Sequence, residues 1–353
     1  MKRIKIGYSC WGFLGNGIID TPDGGRSHRS VLIRELINQG AKIIMLQKDR
    51  DRLEAKNPYS TQYLFFDNDF PDLDALFIEY RWPILGRNLG IDKKDSNYTP
   101  DLDRQNEIIE YYKDKRIPIL IWDKDQKLKG DKADHKNMIV FEPSLYPGLN
   151  RKQLLFPIDP KKTQHAFKNI ASYSNKRKYK MVYIGNQYER DEDFKEFIDV
   201  PASILGEKFP IFGNWDKYPG LYKMNLKRYP NVDFRGRLPF GKVAPTYNDA
   251  LTTCLIAPER YYHSGQFTQR LFECLWQLCI PLTPNKYKGV SEVIIKNWIA
   301  DSGSDLSGMI DNLSKIKNNV IKKLFIEQLS KLNIFNSEKQ AGIILTEIRS
   351  FYA

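Results

Sequence analysis

Short apolar runs alternate along the chain with segments whose apolar positions recur every three or four residues. In the first half, the runs predict strands over residues 3–9, 41–47, 74–82 and 117–123. Helices are predicted over 26–39, where Val31, Leu32, Leu36 and Ile37 share one face, and over 101–115. Continuous apolar runs are typical of strands buried on both faces. Their alternation with helices predicts a parallel sheet covered on both sides.

A second series of strands and helices begins near residue 179. Its strands are predicted over 179–186, 209–214, 232–237, 251–259 and 280–284, its helices over 193–199, 242–250 and 267–278, and a helical tail from 306 onward. A chain of 353 residues is long for a single core. We therefore expect two α/β domains, joined by a basic linker over 160–180.

The charge balance favours an anionic partner. The formal net charge is +12, and residues 161–180 contain seven lysines and arginines but no acidic residue. A positive surface attracts polyanions such as nucleic acid, although lysine-rich composition is also common in proteins from AT-rich genomes. No apolar run is long enough to cross a membrane, and the amino terminus lacks a signal peptide. We expect a cytoplasmic protein, a monomer without a membrane partner.

The segment 211–284 carries the chemistry of a nucleotide pocket. Short strands end in glycine and arginine turns at 211–214 and 234–239, so their carboxyl ends should open into loops that line a crevice. Arg270 and Glu273 follow on one helix face. A guanidinium can neutralise a diphosphate, while a carboxylate can accept hydrogen bonds from ribose hydroxyls. The alternative is an ordinary intrahelical ion pair.

Four motifs resemble a known family: YIGN (183–186), FGN (212–214), FRGRLP (234–239) and QRLFE (269–273). They are similar to motifs of the T-even phage DNA β-glucosyltransferases, two-domain GT-B enzymes that move glucose from UDP-glucose to 5-hydroxymethylcytosine in duplex DNA. Residues 8–29 also resemble phage hydroxymethylcytosine-modifying transferases that use other sugars, arabinose included.

This resemblance implies the GT-B fold, with two doubly wound Rossmann-like domains facing a deep interdomain cleft. Residues 1–165, completed by a helix over 338–353, would hold the DNA acceptor, and residues 175–337 would hold the UDP-sugar. Tyr188 stands where the family has an arginine, and the Leu238 backbone would bind uracil. The implied donor-binding residues are Gly185, Tyr188, Arg190, Gly213, Arg237, Leu238, Glu259, Tyr262, Arg270 and Glu273.

Glycosyl transfer also needs a base for the acceptor hydroxyl. Asp123 follows the apolar strand 117–122, the place of the family's catalytic aspartate, with Asp125 and Asp23 as the next choices. An aspartate after a strand can equally be a turn residue. In the glycine-rich loop 12–25 and just beyond it, Gly17, Asp20, Arg26 and His28 would contact sugar or acceptor. The alternative is a flexible surface loop before a capped helix.

The sequence therefore predicts a glycosyltransferase that moves arabinose or glucose from a UDP-sugar to 5-hydroxymethylcytosine in double-stranded phage DNA, with the base flipped out of the helix. We expect no required cofactor and no dedicated metal site, with Mg²⁺ or Mn²⁺ acting only as a stimulant. If the gene is of phage origin, the enzyme works in the host cytoplasm. The alternatives are a transferase acting on cell-envelope polysaccharide or protein, and a non-catalytic DNA-binding protein on a degenerate GT-B scaffold.

Overall fold

A computed structural model describes residues 3–15, 27–83, 101–130, 135–213, 215 and 229–353. The chain forms two compact units. The first contains Met1–Pro157 together with Phe335–Ala353, and the second contains Ile158–Ile334. Residues 160–180, expected to be a linker, are structured within the second unit as a helix, a 3₁₀ turn and the start of a strand.

Seven described strands of the first unit form one parallel sheet in the order β3-β2-β1-β4-β5-β6-β7. They are β1 (Lys5–Ser9), β2 (Lys42–Met45), β3 (Leu64–Phe65), β4 (Ala75–Glu79), β5 (Ile119–Trp122), β6 (Met138–Glu142) and β7 (Lys152–Gln153). Among the flanking helices are α1 (Arg29–Asn38), α2 (Arg50–Leu53) and α3 (Asp101–Lys113), with a 3₁₀ turn at Tyr59–Thr61. Leu76, Ile78, Ile119 and Ile121 are buried in the core of this unit.

Six described strands form the second sheet, also parallel, in the order β10-β9-β8-β11-β12-β13. They are β8 (Tyr179–Ile184), β9 (Phe209–Phe212), β10 (Val232–Phe234), β11 (Ala250–Cys254), β12 (Ile280–Pro284) and β13 (Ile299–Ala300). The strand order reverses between β8 and β11. In doubly wound sheets, ligands bind outside the carboxyl ends of the strands at such a reversal.

The helices of the second unit flank this sheet. They are α4 (Pro160–Asn169), α5 (Asp191–Phe194), α6 (Val200–Leu205), α7 (Phe240–Asn248), α8 (Glu259–Ser264), α9 (Gln269–Leu275), α10 (Val290–Val293), α11 (Gly303–Lys315) and α12 (Asn318–Lys331). A π-turn covers Lys195–Asp199, and 3₁₀ turns cover Ile170–Ser172, Lys296–Trp298 and Leu332–Phe335. In the described residues, no helix has both the length and the apolar character needed to cross a bilayer.

The last helix, α13 (Ser337–Tyr352), belongs to the first unit. Gln340 Oε1 accepts a hydrogen bond from Leu155 N at 2.8 Å, and Tyr352 Oη donates one to Asp74 O at 2.7 Å. Lys152 Nζ lies 2.6 Å from Glu347 Oε2. These contacts fix α13 against the region around β4 and β7.

Candidate active site

The loops after β8 and β11 flank the strand reversal of the second sheet. The β8 loop runs from Gly185 to Arg190, and the β11 loop leads through Pro258 into α8. Both loops leave the carboxyl ends of parallel strands, so they lie at the same edge of the sheet. The sequence FTQR then carries the chain into α9, which holds Arg270 and Glu273.

Two glycines allow the β8 and β9 ends to approach closely. Gly213 has φ of 140°, a region that residues with a side chain rarely adopt, and a Cβ atom there would lie 2.0 Å from Gly185 O. Gly185 N donates to Phe212 O at 2.8 Å, and Gly213 N donates to Gly236 O at 2.7 Å. The close backbone of Gly185 explains the glycine at 213, and a ligand contact by either glycine stays a prediction.

Arg270 is held at this edge by β8 and β11. Its Nη1 donates a hydrogen bond to Tyr183 Oη, and its Nη2 donates one to Ile256 O at 3.0 Å. The guanidinium carbon also lies 5.2 Å from the centre of the Tyr183 ring. A Cβ atom on Gly185 would be 3.1 Å from Arg270 Nη1. A glycine at 185 therefore leaves room for the Tyr183–Arg270 contact.

Arg190 adds a second guanidinium to the same region. Its Nη1 donates to Asn186 O at 2.8 Å, while Nε is buried with no acceptor among the described residues. Burial lowers the pKa of Arg190, and the nearby positive charge of Arg270 lowers it further, against the opposing effect of Tyr183. Burial also disfavours the charged form of Arg270, but the surrounding tyrosines outweigh it and raise its pKa, so the unfavourable charge is that of Arg190. A bound anion would stabilise it.

Arg260 supplies a third guanidinium from α8. It forms an ion pair with Glu189, and its guanidinium carbon lies 5.6 Å from the Tyr188 ring and 4.8 Å from the Tyr261 ring. Tyr188 thus supports an arginine side chain beside the β8 loop. Arg260 was not among the predicted donor-binding residues, although it directly follows Pro258-Glu259 at the end of a predicted strand.

Glu273 lies one turn after Arg270 on α9, and both side chains are half-buried. Arg270 donates hydrogen bonds to Tyr183, Ile256 and, more weakly, Thr268. Its guanidinium is therefore oriented by the sheet and the preceding loop. The ribose contact predicted for Glu273 remains a prediction.

The other predicted donor residues differ in accessibility. Arg237 is exposed and Leu238 half-buried, both in the extended segment before α7. Glu259 is exposed, and its Oε1 lies 3.2 Å from His263 Nε2. Tyr262 is 1% exposed, and its Oη accepts a hydrogen bond from Ala257 N at 2.9 Å. The Tyr262 side chain stabilises the turn at Pro258, and its contact with the sugar donor stays a prediction.

In the first unit, Asp123 follows β5 but its side chain is 0% exposed. Oδ1 accepts a hydrogen bond from Lys127 N at 2.9 Å, and Oδ2 accepts from Leu128 N at 2.8 Å and from Arg151 Nη1 at 2.9 Å. A base must reach the acceptor hydroxyl. Asp123 thus orders the loop after β5, and its catalytic role stays a prediction.

Asp125 is the more accessible of the two carboxylates after β5, with a side chain 30% exposed. Its Oδ2 accepts a hydrogen bond from Trp82 Nε1 at 3.3 Å and lies 3.5 Å from Arg81 Nη1. Asp23, the third predicted base, lies outside the described residues, as do Gly17, Asp20 and Arg26 of the predicted sugar loop.

His28, also predicted to contact sugar or acceptor, is 2% exposed beside the Trp122 and Phe156 rings. His28 thus packs in the core, and its contact with sugar or acceptor stays a prediction. Its Nε2 lies 4.0 Å from Glu79 Oε2, at the carboxyl end of β4. Glu79 also accepts hydrogen bonds from Tyr8 Oη at 2.6 Å and from Arg29 Nε at 2.7 Å, and it forms an ion pair with Lys124.

Sequence reasoning missed this buried charge cluster. Glu79 ends an apolar strand, the same signal that selected Asp123. Burial alone would raise the pKa of Glu79, but Arg29 and Lys124 outweigh it and hold the pKa well below its ordinary value. Across the described ranges, no group of three or more His, Cys, Asp or Glu side chains is arranged to hold a metal ion.

Comparison with known proteins gives structural matches only. No protein-family model matches the chain, and no curated protein matches it in sequence. The T4 phage β-glucosyltransferase in complex with UDP and Mn²⁺ is 15% identical, with a TM-score of 0.62, over 98% of this chain and 99% of the other. Anabaena HepE with UDP and glucose is 9% identical, with a TM-score of 0.57, over 99% and 100%.

A third match is AviGT4, a glycosyltransferase of avilamycin A biosynthesis, at 10% identity and a TM-score of 0.55 over 99% of this chain and 98% of the other. The two parallel sheets with flanking helices are those of the GT-B glycosyltransferases, which confirms the predicted fold class. The T4 phage enzyme in particular matches nearly the whole of both chains. The fold implied by the sequence resemblance is thereby confirmed.

Proposed function

We propose that this protein is a glycosyltransferase that moves a sugar, arabinose or glucose, from a UDP-sugar to 5-hydroxymethylcytosine in phage DNA. The observation that carries the proposal is the cluster of Arg190, Arg270 and Tyr183 at the strand reversal of the second sheet. It contains a buried guanidinium, Arg190, whose pKa is lowered and whose Nε has no hydrogen-bond acceptor within the part of the chain that the structure describes. A diphosphate supplies both the negative charge and the acceptor oxygens that this cluster lacks.

The same cluster suits the chemistry of glycosyl transfer. Negative charge grows on the departing diphosphate as the glycosidic bond breaks, and fixed guanidinium groups stabilise that charge without reorganising. Arg270 is fixed by Tyr183 and by Ile256 O. Arg190 and Arg270 would bind the diphosphate, Glu273 the ribose hydroxyls, and the Leu238 backbone the uracil. A divalent ion would assist departure of UDP, and Mn²⁺ is present with UDP in one T4 phage structure.

Two observations support DNA as the acceptor. One T4 phage match is described as a DNA-modifying enzyme, and the present chain carries a net charge of +12. A cytosine stacked in a duplex cannot present its hydroxymethyl group to a base and to an anomeric carbon together. Transfer would therefore require the nucleotide to flip out of the helix. Asp125, Asp123 and Asp23 are the candidates for the base that removes the hydroxyl proton.

The test is transfer of sugar to DNA. Duplex DNA with and without 5-hydroxymethylcytosine would be incubated with the protein and a panel of UDP-sugars, and the nucleosides then analysed by mass spectrometry. We expect one hydroxymethylcytosine product with the mass of an added hexose or pentose, no product from unmodified DNA, and none from Arg270→Gln. UDP release only with polysaccharide or protein acceptors would instead support the cell-envelope alternative.

A further inference from the structure

A polar pocket lies in the second unit, away from the loops of the proposed donor site. Its volume is about 520 Å³, and among the residues that line it are three cations, Lys176, Arg177 and Lys178, and one carboxylate, Asp249. Lys178 directly precedes β8, and Asn248 ends α7 just before β11. The pocket is therefore at the amino ends of these strands, whereas Arg190 and Arg270 lie at their carboxyl ends.

The basic segment that lines this pocket is held in place. Asn175 Nδ2 donates hydrogen bonds to the carbonyl oxygens of Leu313, Ser314 and Ile316 at 3.3, 3.2 and 2.9 Å, and so caps the end of α11. Its backbone N donates to Asn318 Oδ1 at 2.9 Å. The side chains of Lys176 and Lys178, just after Asn175, thus extend from a fixed backbone.

Arg177 is fixed as well. Its Nε donates to Ser174 O at 2.9 Å, its Nη1 donates to Asn248 Oδ1 at 3.1 Å, and its guanidinium carbon lies 5.2 Å from the Tyr173 ring. Lys176 and Lys178 on either side are exposed. A pre-positioned guanidinium between two exposed ammonium groups suits an anion with several oxygens, although Lys178 Nζ also lies 5.0 Å from the centre of the Tyr179 ring.

The positive surface continues from the pocket onto α4. Lys162 Nζ lies 4.8 Å from the centre of the Trp276 ring, and Trp276 Nε1 donates to Thr163 Oγ1 at 3.2 Å. Lys161, Lys162 and Lys168 are exposed on this helix. Six of the seven cations of residues 161–180 are thus spread over a helix and a pocket, farther than one small anion reaches, while Lys180 lies in β8 and pairs with Glu207.

We propose that this pocket and α4 form a binding surface for the phosphate backbone of nucleic acid, separate from the donor site. The inference rests on the proposed function for the identity of the polyanion, and it adds a second contact between this chain and DNA. A strip of cations recognises successive phosphates without reading sequence. The surface would hold the duplex backbone at the edge of the sheet opposite to the donor loops.

The test measures DNA binding against salt concentration. Fluorescence anisotropy with unmodified duplex would compare the wild type, Lys176→Gln/Lys178→Gln, and a control, Lys296→Gln/Lys339→Gln, which removes equal charge from exposed lysines elsewhere. Loss of two phosphate contacts should reduce the slope of log affinity against log salt by about 1.8. The control should keep the wild-type slope, and UDP affinity should be equal in all three proteins.

An unchanged slope in the pocket variant would overturn the proposal. So would saturable binding of inorganic phosphate, seen by calorimetry and lost in the variant, with the DNA slope unaltered, because that result identifies a site for a small anion. Because unmodified DNA carries no acceptor hydroxyl, this binding test is independent of the transfer assay. A lysine-dependent slope without transfer to hydroxymethylated DNA would refute the proposed acceptor and leave the phosphate surface standing.

Discussion

Tyr183 supports the guanidinium of Arg270 in two ways, since its Oη accepts a hydrogen bond from Nη1 and its ring lies 5.2 Å from the guanidinium carbon. Tyr183 is 0% exposed, so it would affect binding of the UDP-sugar by orienting Arg270. Tyr183 is therefore a positioning residue in the proposed site.

Tyr183→Phe should weaken UDP binding, because the ring remains while the hydrogen bond that orients Arg270 is lost. The expected cost is about 0.5–1.5 kcal/mol, or up to roughly tenfold in affinity. Calorimetry with UDP would measure it. Tyr173→Phe is the control, since Tyr173 is also buried and its Oη has no hydrogen-bond partner among the described residues. Equal UDP affinities for the two variants would contradict the positioning role.

Glu273→Ala should also weaken UDP binding, because the ribose hydroxyls would lose a charged acceptor. A hydrogen bond to a charged group contributes about 1.5–3 kcal/mol. Glu327→Ala, at an exposed position of α12, is the control. Binding of uridine diphosphate and of its 2′,3′-dideoxy analogue would be compared. If Glu273→Ala weakens both equally, the ribose assignment is wrong.

Gly213→Ala should lower the free energy of unfolding, since the new Cβ would lie 2.0 Å from Gly185 O at a φ of 140°. The left-handed region alone costs about 1–2 kcal/mol for a residue with a side chain. Gly241 lies in α7, and a Cβ there meets no atom within 4 Å. Gly241→Ala should therefore stabilise the protein by roughly 0.5–1 kcal/mol. Urea unfolding tests both, and a neutral Gly213→Ala would refute the close approach.

Asp123→Asn should lower the unfolding temperature more than Asp125→Asn does, because Asp123 accepts three hydrogen bonds in a buried setting. The loss of a buried charged acceptor costs about 1–3 kcal/mol. Thermal unfolding and single-turnover transfer would be measured together. A variant of Asp123 with full stability and abolished transfer would contradict the anchoring role and assign it as the base.

The stability contributed by Glu79 should depend on pH. The pKa of Glu79 is lower in the folded protein than in the unfolded chain, so its contribution is complete above the unfolded value, near 4.5, and is lost progressively as pH falls below it. Glu79→Gln should destabilise the protein by about 3–5 kcal/mol at pH 7, because Arg29 and Lys124 would lose their buried partner. The difference in unfolding temperature from wild type should narrow between pH 5 and pH 3, and a constant gap would refute the linkage.

The central strands were predictable because buried parallel strands are continuous apolar runs, as in β5 and β12. Strand β6 was not predicted, although MIVFE is such an apolar run. Strands β3, β7 and β13 were not predicted either, and each has only two residues. A two-residue strand is defined by its neighbour in the sheet, and its own composition carries too little signal.

Within the candidate site, residue type was predictable but environment was not. Arg270 stood out by its chemistry, yet its orientation depends on Tyr183, which is 87 positions away. Asp123 was selected for its place after a strand. Its carboxylate accepts a hydrogen bond from Arg151, which follows β6 in the chain. Such pairings follow from strand order and side-chain packing, which local patterns do not specify.

The assignment of α13 to the first unit has a consequence for synthesis and folding. Leu155 N and Asp74 O find their partners on Gln340 and Tyr352, so this unit is assembled from two stretches of sequence that enclose the whole of Ile158–Ile334. On the ribosome, residues 1–157 emerge long before their last helix does. The second unit is continuous in sequence, so it can fold before the last helix of the first unit has been synthesised. Docking of α13 onto residues 1–157 would then be a late step in reaching the native state.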